Sequence, residues 1–307
     1  MELLINPTSY DNAIDLIELG IHQINIGLRE FSMRNNCILT FAQIKKIISN
    51  KKSTKIILLF NKIFFEQDIE DLEKMLVEVS KLDIDGIIFC DYAICQICFE
   101  KKLKVNLIYH PETLNVNYGQ IPFFEKNGIS EIVLARELNS LNIKDIAAHK
   151  GTIKIQIQVA GYSYMMQSRW PLLTNFKEAY KIKDEVHGKK LMLKEPTRKH
   201  QFLIIEDKDG THIFTKYNLS LIDKLKELET MGVDTIRIDS FLHDAQWTLI
   251  TAKYYMEVLK NQKKKTITES IIAFKKFDKL ISAGFYEINR DNLIYLKDEQ
   301  KLEWDNE

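Results

Sequence analysis

The sequence predicts an α/β protein, a TIM-like (β/α)8 barrel with an insertion after the seventh strand and a short C-terminal extension. The first observation is a repeated helix-to-strand unit. Four stretches each place Gly or Asp before Ile or Val, then two mostly polar residues, then a short apolar run: 18–27, 81–90, 126–135 and 230–239. The second observation is that strand-like runs and amphipathic segments alternate along the chain, which is typical of parallel strands joined by right-handed crossovers.

The individual elements follow from hydrophobic periodicity. Leu72, Met75, Leu76 and Val79 lie on one face of a helix of period 3.6, and a glycine such as Gly232 supplies the left-handed residue that ends a helix. Four further strand-like runs are 3–6, 55–61, 104–109 and 153–159. About eight strand–helix units therefore span residues 1–260, and closure into a barrel is the simplest arrangement. An open doubly wound sheet is the alternative, although no glycine-rich nucleotide motif follows a strand.

The regularity breaks once, and this break defines the predicted domain organisation. Residues 161–217 are too long for an ordinary loop after a strand and contain a hairpin that turns at Asp209-Gly210. We therefore expect a barrel over 1–260, with 161–217 as a lid above the carboxyl ends of the strands, where barrel active sites lie. Residues 261–307 form a charged extension with one helix near 267–282.

Composition excludes several classes of protein. The 43 basic and 43 acidic residues give zero formal net charge, which argues against a globally basic nucleic-acid coat or an acidic tail protein. The amino terminus lacks the basic and apolar regions of a signal peptide, and no apolar run approaches the roughly 18 residues needed to cross a bilayer. The four cysteines do not have the pattern of the disulfide framework of a secreted protein. We therefore expect a cytoplasmic protein without a membrane partner.

Four segments carry motifs that are specific when taken together. They are QIQVAGYSYMMQSRWPLLT (156–174), LARELNS (134–140), YHPETLNVN (109–117) and the hairpin, helix and IRIDS end (206–240). In these segments the sequence resembles the peptidase U-32, or collagenase-like, family, and Gly161 keeps the glycine of the family signature after the seventh strand. The similarity covers most of residues 1–258 and is greatest to the short-chain members.

The resemblance implies a function in tRNA hydroxylation at the wobble uridine, with prephenate as the source of the hydroxyl group. It also implies a longer family paralogue as the partner in a hetero-oligomer, and the tRNA anticodon loop as the RNA that is bound. The family name implies a second hypothesis, a hydrolase acting on peptide bonds in collagen-like substrates. A third hypothesis is a non-catalytic binding subunit whose partner carries the reaction.

The sequence departs from the family at its signature cysteines. Tyr164 and Pro171 stand where relatives with a four-iron cluster have ligands, and such a cluster needs about four converging thiolates. We therefore expect no cofactor and no metal. Cys90, Cys95 and Cys98 have a spacing also seen in ferredoxins, with Cys37 as a fourth thiol, but cysteine is a common buried residue.

Polar residues at predicted strand ends are the candidates for catalysis. His110 and Glu112 follow the fifth strand, and an imidazole and a carboxylate at one rim suit acid–base chemistry. Arg136 and Glu137 end the sixth strand, where a guanidinium suits a carboxylate or phosphate, and Asp239 ends the eighth. A loop histidine, a structural ion pair and helix capping are the competing interpretations.

Further residues are predicted to bind substrate or RNA. Substrate-binding candidates at the mouth of the barrel and the start of the insertion are Asn61, Asp91, Asn117, Gly161 and Arg169. RNA-binding candidates on the insertion combine aromatic rings with cations, as single-stranded RNA requires: Tyr164, Trp170, Lys189, Lys190, Arg198 and Lys199. The competing interpretation is a solvated loop in a lysine-rich chain.

Overall fold

A computed structural model describes residues 1–194, 201–261 and 263–288 of the chain. The strands of this part, in chain order, are β1 (Glu2–Ile5), β2 (Gln23–Leu28), β3 (Ile38–Leu39), β4 (Lys55–Phe60), β5 (Gly86–Phe89), β6 (Leu107–Tyr109), β7 (Ile129–Val133), β8 (Lys154–Ser168), β9 (Leu191–Lys194), β10 (Gln201–Asp207), β11 (Gly210–Ser220), β12 (Thr235–Ile238) and β13 (Ile281–Ser282).

The strands β1, β2, β4, β5, β6, β7, β8 and β12 form a closed parallel barrel in the described part of the chain. Closure occurs because β12 pairs on one side with β1 and on the other with β8, where Thr235 lies beside Gln156. The predicted TIM-like barrel is therefore confirmed, and the open doubly wound sheet is wrong. Each of the eight predicted strand segments overlaps one of these strands.

The helices surround this barrel. In chain order they are α1 (Tyr10–Glu18), α2 (Phe41–Ser49), α3 (Ile69–Val79), α4 (Tyr92–Glu100), α5 (Ile121–Lys126), α6 (Ser140–Ala148), α7 (Leu172–Ala179), α8 (Leu225–Met231), α9 (Ala245–Lys260) and α10 (Lys264–Phe277). None of the helices in the described ranges has the length and apolar character needed to cross a membrane. As the sequence predicts, Gly232 ends α8 with φ +92°.

Two apolar layers hold the barrel together. The larger layer lies between the strands and the helices, and includes the completely buried Leu16, Ile44, Leu72 and Leu76. The smaller layer fills the barrel interior with Leu4, Ile57, Leu59, Ile88, Ile108 and Val133. Arg237 of β12 lies in register with Leu4 of this inner layer on one side and with Gln158 of β8 on the other. The side chains of Arg237 and Gln158 therefore also point into the barrel interior.

The predicted insertion is an antiparallel sheet that grows out of the barrel. Strand β8 does not end at residue 159, as the sequence suggests, but continues to Ser168 and pairs with β11. The hairpin of β10 and β11 pairs Asp207 with Gly210, so Lys208 and Asp209 form its turn.

The predicted C-terminal helix is α10, which begins and ends a few residues earlier than expected. Its Phe274 packs edge-on against Tyr255 of α9, with ring centroids 5.5 Å apart. Strand β13 then joins the edge of β11. Residues 289–307 of the predicted extension lie outside the described residues.

Candidate active site

Polar side chains from distant parts of the chain meet in a cavity at the carboxyl ends of the barrel strands. The cavity has a volume of ≈ 50 Å³. Its polar lining consists of Arg34, Asn61, His110, Glu112, Arg136, Gln158, Tyr164, Arg237 and Asp239, and its apolar lining of Val133, Leu134, Phe214 and Phe241. The structure thus places His110, Arg136 and Asp239 at one mouth, as the barrel geometry requires.

Arg34 reaches the cavity from the loop after β2. Its guanidinium forms an ion pair with Glu112 and donates to the side-chain oxygen of Gln167. The guanidinium carbon also lies 4.3 Å from the ring centroid of Tyr164. The loop is held in place because Asn61 accepts a hydrogen bond of 2.9 Å from the backbone N–H of Met33.

Arg136 is the second arginine near the Tyr164 ring, and its guanidinium carbon lies 5.8 Å from the ring centroid. It donates to the backbone oxygens of Glu112 and Met165, each at 3.2 Å. Its ion pair with Glu137 measures 3.0 Å. The structural ion pair considered from the sequence is therefore present, and the guanidinium nevertheless lines the cavity.

Arg237 has the least satisfied side chain of the three cavity arginines. Only 4% of the residue is exposed, and its Nη2 lies 3.6 Å from an oxygen of Asp239. Its Nε and Nη1 are buried without a hydrogen-bond partner in the described part of the chain. Asp239 is held by Asn6 at 3.3 Å and by the backbone N–H of Phe241 at 3.0 Å. A buried cation with unpaired donors fits a site that receives an anion.

His110 lies among these cations and is neutral. Burial, followed by the charges of Arg237, Arg34 and Arg136, holds the pKa of its imidazole well below the ordinary value. A neutral imidazole has one nitrogen that accepts a proton and one that donates. In this form the ring can donate one hydrogen bond to a bound group and accept another from it, whereas an imidazolium would add a fourth positive charge.

Gly161 determines how closely two strands of the barrel approach each other. Its φ is +98°, and a Cβ built on it would lie 1.9 Å from the backbone oxygen of Asp239. A side chain at this position would push β8 away from the end of β12, which carries Arg237 and Asp239. Gly161 therefore shapes the site through close backbone approach.

The arrangement favours binding of a small anion or of carboxylate groups. Three guanidiniums and two carboxylates line the cavity, so positive charge is in excess. Its volume accommodates a few water molecules, and a larger ligand requires the surrounding aromatic side chains to move. The lining contains no serine, threonine or cysteine among the described residues.

Several predicted site residues lie elsewhere. Asp91 caps α4 by accepting from the backbone N–H of Ala93 at 2.9 Å, so the capping interpretation is correct there. Asn117 is exposed before a short 3-10 helix and does not line the cavity. Arg169 lies in a neighbouring groove, and Glu137 contacts the cavity only through Arg136.

The RNA-binding candidates are also dispersed. Tyr164 is not an exposed stacking surface, because it is half-buried in the cavity lining with Arg34 and Arg136 near its ring; burial raises its pKa to about 12. Trp170 is 71% exposed and Lys189 is exposed, while Lys190 donates to the backbone oxygen of Leu242. Arg198 and Lys199 lie outside the described residues.

Sequence reasoning missed Arg34, Gln158 and Arg237. Arg34 comes six residues after β2 ends, so no strand-end pattern marks it. Gln158 and Arg237 alternate with apolar residues inside β8 and β12. In a barrel buried on both faces, a polar residue within a strand points into the interior, and this alternation was the available signal.

The residues present do not fit the iron–sulfur cluster of family relatives. In residues 1–194, 201–261 and 263–288, no group of three His, Cys, Asp or Glu side chains is placed to hold a metal ion. Burial raises the pKa of the Cys37 and Cys90 thiols to about 12 and that of Cys98 to about 11, which disfavours the thiolates that bind iron.

Fold and site together define a TIM-like barrel with an arginine-lined mouth under a sheet extension. The chain belongs to peptidase family U32, whose family model matches residues 8–293. The family resemblance found in the sequence is therefore confirmed.

Two curated relatives are tRNA hydroxylation proteins of Bacillus subtilis (strain 168). The chain is 28% identical to protein P2 over 300 residues, which covers 93% of this chain and 97% of P2. It is 22% identical to protein P1 over 270 residues, which covers 84% of this chain and 63% of P1. A solved U32 peptidase structure aligns over 77% of this chain and 91% of its own, with 14% identity and a TM-score of 0.49.

Proposed function

We propose that this protein is a component of tRNA hydroxylation at the wobble uridine, acting in the cytoplasm. The observation that carries the proposal is the cavity in which three arginines surround a neutral histidine. The similarity to P2 along nearly the whole chain supports the same reaction class. Binding energy in such a cavity is spent on orienting an anionic co-substrate next to a proton acceptor.

A dicarboxylate such as prephenate fits the charge of this site as the hydroxyl-group source. Arg237 offers two unpartnered nitrogens to one carboxylate, and Arg34 and Arg136, both near the Tyr164 ring, are available for the other. His110 holds or moves a proton at its ring nitrogen. Because the cavity is only ≈ 50 Å³, Tyr164 and Phe214 of the sheet extension would shift to admit this co-substrate.

The partner in this proposal is a longer U32 paralogue. The support is that P2 and P1 are two related proteins of one organism, and that the chain spans 63% of the longer one. In a hetero-oligomer of this kind, the present chain contributes the arginine cavity. The tRNA anticodon loop is the RNA that the complex binds.

A deletion strain tests the proposal. Mass spectrometry of its tRNA nucleosides is expected to show loss of 5-hydroxyuridine derivatives, restored by the wild-type gene. Arg136→Ala should not restore them, whereas Lys74→Ala, at an exposed position on α3, should. Unchanged 5-hydroxyuridine derivatives in the deletion strain would refute the proposal.

The peptidase hypothesis is tested with the same protein. Purified wild-type protein incubated with denatured collagen, with and without a chelator, should leave the substrate intact. The absence of a serine, threonine or cysteine from the described cavity lining is the reason for this expectation. If the wild-type protein cleaves collagen and Arg136→Ala does not, the cavity is a peptidase active site and the peptidase hypothesis is favoured.

A further inference from the structure

A second, larger depression lies beside the arginine cavity. This groove has a volume of ≈ 250 Å³, several times that of the cavity. Three cations line it: Lys62 follows β4, Arg169 follows β8, and Lys208 lies in the turn between β10 and β11. Glu30 and Asp209 are the carboxylates of its lining, so positive charge is in excess.

The groove is built by close packing of the extension on itself. Gly210 has φ +119°, and a Cβ on it would lie 2.1 Å from the backbone oxygen of Ser168 and 2.8 Å from the Cα of Arg169. The hairpin turn therefore presses directly on the end of β8. This contact keeps Lys208 and Arg169, which are far apart in sequence, at one edge of the groove.

Aromatic surface accompanies these cations. The guanidinium carbon of Arg169 lies 4.2 Å from the ring centroid of Phe65, which is 46% exposed. Trp170, the next residue along the chain, is more exposed still. Exposed rings beside cations bind single-stranded nucleic acid, because each base stacks on a ring while each phosphate meets a positive charge.

One amide side chain contacts residues of both the groove and the cavity. Gln167 donates to the backbone oxygen of Asp209 at 3.5 Å and to the sulfur of Met33 at 3.4 Å, both on the groove side. Its side-chain oxygen accepts from Arg34 on the cavity side. A group seated in the groove would therefore lie against Gln167, next to the arginine site.

We infer that this groove binds one unstacked nucleotide of RNA, with Lys62, Arg169 and Lys208 holding phosphates next to it. The inference rests on the proposed function and names the place where RNA meets the site. An enzyme that modifies a base in RNA must receive that base outside its stack, in a pocket beside the reacting groups. The groove has the volume, the charge and the position for this role, whereas the cavity itself is too small.

A charge-reversal variant tests the inference in the full-length protein. Lys62→Glu with Lys208→Glu is compared with Lys74→Glu and Lys81→Glu, which make the same change in net charge at exposed positions on and after α3. The probe is a synthetic anticodon stem-loop RNA, and its affinity is measured over a series of salt concentrations. A thermal melt of each variant shows that the fold is retained.

The expected result is a loss of affinity of at least tenfold in the groove variant and little change in the control variant. The slope of log affinity against log salt should also fall by about 1.4, since each single-strand phosphate contact contributes roughly 0.7. Equal affinities and equal slopes for both variants would overturn the inference. Binding of prephenate by isothermal titration should be retained in the groove variant, because the arginine cavity is unaltered.

The two proposals fail in different ways. If the groove variant fully restores 5-hydroxyuridine derivatives in the deletion strain, the groove inference is wrong and the proposed function stands. If the deletion strain never loses them, the proposed function is wrong. In that case, loss of RNA affinity in the groove variant still supports the groove as an RNA site.

Discussion

Replacing Gly161 with alanine tests the link between barrel closure and the site. The new Cβ would lie 1.9 Å from the backbone oxygen of Asp239, well inside the contact distance of any carbon and oxygen atoms. The backbone of β8 or of the segment after β12 must therefore move by about 1 Å or more. We expect both a less stable protein and a displaced Asp239.

The magnitude follows from two contributions. An alanine with positive φ costs roughly 1–2 kcal/mol relative to glycine, because its Cβ crowds the backbone. Forcing an additional atom into a packed region costs roughly 1–3 kcal/mol more. The free energy of unfolding should therefore fall by about 2–5 kcal/mol in Gly161→Ala.

Gly232→Ala is the matched control. Gly232 has φ +92°, close to the +98° of Gly161, but no heavy atom of the described residues, apart from its own chain neighbours, lies within 4 Å of the position of its Cβ. The control therefore carries the conformational cost alone, and urea unfolding should separate the two variants by about 1–3 kcal/mol. If both variants unfold at the same urea concentration, the close approach of β8 and Asp239 does not constrain the fold, and the reasoning is refuted.

Three further predictions concern buried charges. Arg237→Met removes the two unpartnered nitrogens that face the cavity, so titration calorimetry should show loss of dicarboxylate binding; retained binding would exclude Arg237 as a ligand contact. Burial lowers the pKa of His110 and lowers that of His243 to about 4, so below pH ~6.5 the unfolded state binds protons that the folded state does not. As the pH is lowered, the free energy of unfolding should therefore decrease by up to about 1.4 kcal/mol per pH unit for each histidine. His243→Gln should make this decrease less steep in urea titrations between pH 7.5 and 4. Burial raises the pKa of Glu131, so the folded protein favours the protonated carboxyl and becomes less stable as the pH rises above ~4.5. Glu131→Gln should therefore unfold at a higher urea concentration than the wild type at pH 8, and an unchanged midpoint would contradict this.

The sequence predicts the barrel well because each unit satisfies its own local rules. The helix formed by Leu72 and Leu76 and the strand ends at His110, Arg136 and Asp239 follow from periodicity and from the parallel order of the strands. Parallel order places all carboxyl ends at one mouth, so residues far apart in sequence converge without any knowledge of contacts.

The parts that were missed depend on contacts that no local pattern encodes. Asp91 and Asp239 both follow strands, yet one caps a helix and the other faces Arg237. The choice between these outcomes depends on the residue that happens to lie opposite. Tyr164 shows the same limit, since only the folded extension brings its ring close to two guanidiniums.

The continuous strand β8 is what joins the two sites in space. Its inner half carries Gln158 in the barrel, and its outer half carries Gln167 between the cavity and the groove. A shift of the outer half therefore moves Tyr164 and Gln167 together, and both contact Arg34. An anion in the cavity and a nucleotide against Gln167 would act on the same backbone, so each should alter the affinity for the other by the same factor.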